Sequence, residues 1–287
     1  MSVYTIQNIL VPVDLSESSL NALDTAAALA QKHKASLQLL NVVEHQWDAF
    51  QEDAFSPGGT TDSLDVLNAL AGSIQHTHNL KPSVIQEEGN VSDTIIKASI
   101  KYQSSLIVMG THGASGYRDG FMGSNTYRVI KQAGCAVLAV PDLRKYLSFR
   151  RIVFPIRPVA GALQRYDIVC HFVSPQSCLE VLGLSYRKME RETNVLDKIV
   201  QEIKDQLDAD KIKPSISWGA GRTVADDVLS FAHQDNSDLI IITSVLDVTT
   251  KPKFVGPHTQ KIINCAKAPI LSIKKAGVVA GVVTRQS

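Results

Sequence analysis

Leu106-Ile107-Val108-Met109 leads into Gly110, and Leu239-Ile240-Ile241-Ile242 leads into Thr243. Both are short apolar runs of the kind that forms a strand buried on two faces. A single offset carries the whole of 106–140 onto 239–273 without a gap. Phe121 falls on Phe254, Gly123 on Gly256, Thr126 on Thr259, Ile130 on Ile263, Ala133 on Ala266 and Val137 on Ile270. Upstream, Lys81-Pro82-Ser83-Val84 matches Lys213-Pro214-Ser215-Ile216, and Gly89 matches Gly221. Further upstream, Ile9-Leu10-Val11-Pro12-Val13 matches Ile152-Val153-Phe154-Pro155-Ile156. The order is kept while the offset drifts, as in a duplicated domain whose loops have changed length.

Each copy alternates strand and helix. In the first, Asn8 to Val13 and Ala35 to Val43 read as buried strands. Between them a helix capped by Ser16 or Ser18 carries Leu20, Leu23, Ala27 and Ala30 on one stripe. A helix at Leu64 to His78, a strand at Ser83 to Gln86, a helix near Ser92 to Tyr102 and the strand Leu106 to Met109 follow. A last helix, about Asn125 to Ala133, leads into the strand Ala136 to Val140. This alternation implies right-handed crossovers and a parallel sheet covered on both faces. The expected fold is therefore α/β: two tandem, doubly wound, Rossmann-like or flavodoxin-like domains related by duplication. The expected domains are 1–143 and 150–275, with a short tail at 276–287. The boundary near Pro141 to Phe149 is polar and broken from both flanking strands.

Composition narrows the function classes. The chain has 287 residues, of which 44% are hydrophobic, so each half is able to bury a core. Lys plus Arg is 29 and Asp plus Glu is 28, which offers no electrostatic case for nucleic acid or an anionic membrane as partner. Cys135, Cys170, Cys178 and Cys265 form no CxxC pair and no zinc spacing, and are expected to be reduced, mostly buried thiols of a cytoplasmic protein. The start, Met1-Ser2-Val3-Tyr4-Thr5, lacks the basic-then-apolar pattern of a secretory signal. No apolar run approaches the roughly 18 residues of a membrane span.

The segment after Met109 reads Gly110-Thr111-His112-Gly113-Ala114-Ser115-Gly116-Tyr117-Arg118-Asp119-Gly120-Phe121-Met122-Gly123-Ser124-Asn125-Thr126. It is longer than the usual strand-to-helix loop of about 2 to 6 residues, and long loops of this kind tend to be functional. Its glycines allow positive φ and a close backbone approach to a ligand. Gly123-Ser124-Asn125-Thr126 opens a helix, where free N–H groups and the dipole favour a phosphate, and Ser124 and Thr126 add hydroxyl donors. Asp14, at the end of the first strand, would repel phosphates and is better suited to a ribose, a base or a bound Mg²⁺. The plain alternative is a long structural loop. No GK[ST] follows, so this is not a Walker loop, and the glycine spacing is not the dinucleotide fingerprint.

Gly110, Gly113, Gly123 and Ser124 fit the spacing Gly, two residues, Gly, nine residues, Gly, Ser/Thr, and the segment thereby resembles the nucleotide motif of the universal stress protein family. Val11-Pro12-Val13-Asp14-Leu15-Ser16 resembles the same family's first strand. The resemblance is close over about 5–141 and weak over 150–274. It implies an adenine nucleotide, ATP, ADP or AMP, with Mg²⁺ or Mn²⁺ carried by the phosphates. It implies that Asp14, beside Pro12, and the backbone of Val42 hold the adenosine, and that Met109 and Gly110 meet the ribose side. Gly113, Gly123, Ser124, Asn125 and Thr126 would cradle the phosphates, with His112 and Asn125 at variable positions. It also implies that last strands pair. Ala136 to Val140 would then meet Ile270 to Ile273 within one chain, which neither requires nor forbids a homodimer.

The second copy departs where the site matters. Thr243 replaces Gly110, Leu246 replaces Gly113, Pro257 replaces Ser124 and Arg157 replaces Asp14, leaving Gly256. It is expected to be a dimer-like structural partner, with a different, anionic ligand at Arg157 as the alternative. His76 and His78 do not share a helix face, and Glu87, Glu88 and Asp93 read as a loop and a helix start. Burial is the default reading of Cys135 and Cys265. Three function classes follow: a nucleotide-binding stress or regulatory protein, a slow ATPase or phosphotransferase, and an interaction module. The second needs a base or water-positioning group, for which only His112 and Asp119 stand in the loop.

Overall fold

The computed structural model describes residues 4–44, 63–112, 122–141, 148–158, 166–174, 176–185, 190–209, 211–212, 214–219, 223–243 and 256–273. The first half runs β1 (Asn8–Pro12), α1 (Glu17–His33), β2 (Ser36–Val43), α2 (Ser63–His78), β3 (Ser83–Glu88), α3 (Val91–Lys101), β4 (Leu106–Gly110), α4 (Ser124–Gln132) and β5 (Ala136–Val140). The second runs β6 (Arg151–Ile156), α5 (Tyr166–Val169), β7 (Cys178–Gly183), α6 (Glu190–Ala209), β8 (Pro214–Trp218), α7 (Val224–Gln234), β9 (Leu239–Thr243), α8 (Pro257–Cys265) and β10 (Ile270–Ile273).

All ten strands lie in one sheet, in the order β3-β2-β1-β4-β5-β10-β9-β6-β7-β8. Each half contributes five parallel strands in the same internal order, so the duplication read from the sequence is a duplication of topology. The halves meet where β5 and β10 pair antiparallel, with Ala139 opposite Ile270 and Leu138 opposite Leu271. Strands β4 and β5 are buried at every position, as their unbroken apolar runs require.

Helix α1 shows why the local sequence folds as it does. Ser16 caps it, its hydroxyl accepting from the Ser19 N–H at 3.2 Å. Glu17 lies in the first turn and Lys32 in the last, each favourable to the helix dipole. Lys34 closes it in the left-handed region at φ 54°, and the Ala35 N–H returns to the Ala30 carbonyl at 2.9 Å.

The halves do not keep separate cores. The layer under α1, α2 and α6 joins Val11, Leu39 and Val108 of the first half to Phe154, Phe172, Ile203 and Leu207 of the second. The opposite layer joins Leu10, Ile107 and Ile130 to Val153, Val228 and Ile262. Helix α1 spans Glu17–His33; its counterpart α5 is Tyr166–Val169, and 159–165, just before it, lie outside the described residues.

The cysteines depart from expectation. None forms a disulfide, but Cys178 and Cys265 are exposed and Cys135 and Cys170 only half-buried. Among the described residues no helix is long and apolar enough to cross a membrane.

Candidate functional site

In the first half the strand order reverses between β1 and β4. A ligand crevice is expected there, beyond the carboxyl ends of the strands. Pairing of β1 with β4 stops at Leu10 opposite Ile107, although both strands continue. Pro12 stands on the unpaired continuation. The Val13 N–H turns to β2, bonding the Leu40 carbonyl at 2.8 Å, so by alternation the ring nitrogen of Pro12 faces β4. Proline has no N–H to offer that side, and none is used there. The strands therefore part, with Pro12 and Val13 on one lip and Met109 and Gly110 on the other.

Asp14 follows on the first lip, exposed to solvent. Its Oδ1 accepts from the Ser16 N–H at 3.1 Å and from the Ser16 hydroxyl at 2.5 Å. Leu15, between them, is in the left-handed region at φ 64°. The carboxylate is thus tied to the same serine that caps α1. Beside it, β2 outruns β1, since Pro12 pairs with Leu40 and β2 continues to Val43. The Leu40 carbonyl points to β1 and the Val43 carbonyl to β3, where it accepts from the Gly89 N–H at 3.0 Å. Alternation then turns the N–H and carbonyl of Val42 toward the crevice, and no described residue bonds them. Asn41 braces this lip by donating from Nδ2 to the Val13 carbonyl at 3.0 Å.

The other lip corrects several expectations. The Met109 side chain is buried in the layer under α3 and α4, so only its backbone is left to a ligand. Neither Gly110 nor Gly123 has positive φ. A Cβ on Gly110 would strike Ser18 of α1, lying 2.8 Å from its carbonyl carbon and 2.9 Å from its Cβ. Gly110 is glycine because a helix lies against it. The Gly123 N–H is not free for a phosphate, since it donates to the Thr111 carbonyl at 2.8 Å. The Thr126 hydroxyl is not free either: buried, it donates to the Gly110 carbonyl at 2.8 Å. His112 Nδ1 lies 2.9 Å from the Thr111 hydroxyl. Gly113 and Asp119 lie outside the described residues.

What remains open is the start of α4. Gly123 is its N-cap, at φ −58° and ψ 146°, and makes no side-chain cap. Ser124 and Asn125 are exposed. The N–H groups of Ser124, Asn125 and Thr126 have no acceptor among the described residues, and Tyr127 is the first to close a helical bond, to the Gly123 carbonyl at 3.0 Å. Three converging donors at the positive end of a helix dipole attract an anion.

Two contributors lie beyond the sequence reading. That reading offers Ser18 only as a possible cap, yet its hydroxyl joins β5 to the loop, donating to the Val140 carbonyl and accepting from the His112 N–H, both at 3.4 Å. Thr111 turns the chain out of β4, its N–H bonded to the Val140 carbonyl at 3.0 Å. The serine-rich run Ser16-Glu17-Ser18-Ser19 opposite a glycine is the available signal. The acidic cluster is structural: Glu87 accepts from Lys101 at 2.7 Å, a bond that holds its carboxyl below the usual range, and Asp93 pairs with Arg128 at 2.9 Å.

The family model described as the universal stress protein family matches residues 5–141. A universal stress protein of Synechocystis is 31% identical over 135 residues, covering 47% of this chain and 85% of the relative. The chain belongs to the universal stress protein family. Universal stress protein A homolog 1 of Coxiella burnetii is also 31% identical, over 138 residues, covering 47% of this chain and 95% of that one. The fold likeness extends further. A universal stress protein from Archaeoglobus fulgidus superposes with a TM-score of 0.69 at 19% identity, covering 95% of this chain and 97% of the other. The tandem arrangement is therefore a whole-fold match, while the sequence match lies in the first half.

At the equivalent place in the second half, β6 and β9 also part, their pairing ending at Val153 opposite Ile240. Pro257 occupies the first turn of α8, removing one donor. Thr243 is buried where Gly110 yields space to α1. Leu246 lies outside the described residues.

Proposed function

We propose that the first half holds one adenine nucleotide and acts as a nucleotide-dependent regulatory or stress-response protein. The observation that carries this reading is the uncapped start of α4, with three N–H groups open beside a crevice at the switch point. In this reading the α- to γ-phosphates meet the N–H groups of Ser124, Asn125 and Thr126 and the Ser124 hydroxyl. Asp14 takes a ribose hydroxyl, and the outward N–H and carbonyl of Val42 take the base edge. Pro12, Met109 and Gly110 line the walls, and His112, Gly113 and Gly123 shape the loop. Mg²⁺ or Mn²⁺ arrives with the phosphates; the described residues contain no metal-binding group of their own. The second half serves as the pairing partner of the first, and its Pro257 and Thr243 disfavour an equivalent site.

The test begins with protein purified without added nucleotide. Denaturation is expected to release an adenine nucleotide, and calorimetry with ATP on the emptied protein to give about one site per chain. Gly123→Val, whose Cβ would already lie 3.2 Å from the Thr111 carbonyl oxygen, is expected to abolish binding while the circular dichroism spectrum is kept. Two equivalent sites, or undiminished affinity in Gly123→Val, overturns the assignment.

A further inference from the structure

Helix α1 of the first half and the α5 segment of the second touch on the face opposite α4. Ile168, Val169, Phe172 and Val173 are buried there, in the layer that α1 also covers. The polar seam above them is unusual in composition. Lys32 Nζ donates to the His171 carbonyl at 3.0 Å. His171 Nε2 lies 2.7 Å from the Tyr4 carbonyl, and because a carbonyl only accepts, Nε2 carries the proton. The His33 and His171 rings meet edge to face, with centroids 5.3 Å apart at 78°. Tyr4 packs on His171 at 5.7 Å and is anchored to the first half through its hydroxyl, bonded to the Ser105 carbonyl at 2.6 Å. His33 Nε2 is buried and has no hydrogen-bond partner among the described residues. Two imidazoles and an ammonium thus share one seam, and a proton added to the buried His33 Nε2 would meet no acceptor among the described residues.

We propose that His33, packed against His171, is an acid-sensitive latch that holds the α5 segment of the second half on helix α1 of the first and releases it when His33 is protonated.

The surroundings fit this role. Burial first, then Lys32 and His171, push the His33 imidazole down to about 4, opposed by a hydrogen bond to the His171 backbone. The titratable groups that act within the seam come from each element packed on it. Lys32 and His33 come from α1 and Tyr4 from the segment before β1. Cys135 precedes β5, and Asp167, Cys170 and His171 come from α5 and the residues after it. Cys135 and Asp167 act on Tyr4 and Cys170 acts on Lys32, whereas no carboxylate among the described residues acts on His33. The sign follows from the direction. In the opened segment His33 regains its ordinary value of 6.5, so the latch has full strength above that pH and loses it as pH falls from 6.5 toward 4. The opening equilibrium then grows by up to about tenfold per pH unit.

Amide hydrogen exchange of the full chain between pH 7 and pH 4.5, corrected for intrinsic exchange, reads the latch directly. The reporters are the amides of His171 and Phe172, bonded to the Ile168 carbonyl at 3.2 Å and the Val169 carbonyl at 2.9 Å. Their protection is expected to fall by up to about tenfold per unit below pH 6.5, while Leu138 and Leu271 of the β5–β10 ladder hold theirs. His33→Gln, which keeps a donor for the His171 carbonyl, is expected to flatten the profile. Protection that is independent of pH, or that falls equally in the central ladder, overturns the proposal. A proton-resonance titration of the unsubstituted chain decides the matter without any variant. A His33 midpoint near 4 supports the latch, and one near 6.5 refutes it.

Discussion

A methyl group on Gly110 would press on Ser18, whose carbonyl carbon and Cβ stand 2.8 and 2.9 Å from it. Backbone on one side and a helix on the other leave little room to yield. Gly110→Ala is therefore expected to destabilise the chain by about 1–3 kcal/mol in urea denaturation, as overpacking does. Gly123 sits in an ordinary extended conformation, where among the described residues an added side chain meets the Thr111 carbonyl and His112 Cα. The same motif thus contains one glycine demanded by packing and one that leaves a helix start uncovered. The spacing of Gly110, Gly113, Gly123 and Ser124 is legible in the sequence, because spacing is what a motif records. The partner of each glycine is not, since Ser18 and Thr111 reach it through contacts that no local pattern encodes.

At the scale of elements, apolar runs and caps carry most of the information. The run Ala136 to Val140 is β5 as read, and the helix read at Leu64 to His78 is α2 with one more residue at its start. Asn90, the cap of α3, is hidden in the sequence by its charged neighbours Glu87, Glu88 and Asp93. Ser16 links an element to the site: one hydroxyl accepts from Ser19 to cap α1 and donates to Asp14 on the crevice lip. Ser16→Ala is expected to cost about 1 kcal/mol of stability, the usual value of a lost cap. It is also expected to weaken ATP binding measurably, because Asp14 loses its brace. Unchanged affinity in a folded Ser16→Ala would detach Asp14 from recognition.

At the scale of the molecule, a five-stranded half is not finished by itself. Strand β5 is buried at every position because β10 lies against it, and both helix-covered layers run on from one half into the other. Cutting the chain after residue 142 exposes an apolar edge and the open end of two cores. Sedimentation of that fragment is expected to show dimers or aggregates where the full chain at the same concentration does not. A stable, monomeric fragment would deny the second half its covering role. The outer strand β3 is protected in another way, with Glu87 and Glu88 on the edge itself and Lys101 paired to the former.

The antiparallel meeting of β5 and β10 fixes a polarity. Strands are parallel within each half and opposed between halves, so the carboxyl ends of β1 and β4 point one way along the sheet and those of β6 and β9 the other. The two switch points therefore open at opposite poles. The pole with Asp14 and the uncapped α4 differs from the pole with Arg157 and Pro257. A partner docking at one pole has no direct contact with the other, even though the scaffold between them is nearly twofold. In a symmetric pair of identical single domains both poles would be alike; here duplication and divergence have made a molecule with a distinct front and back.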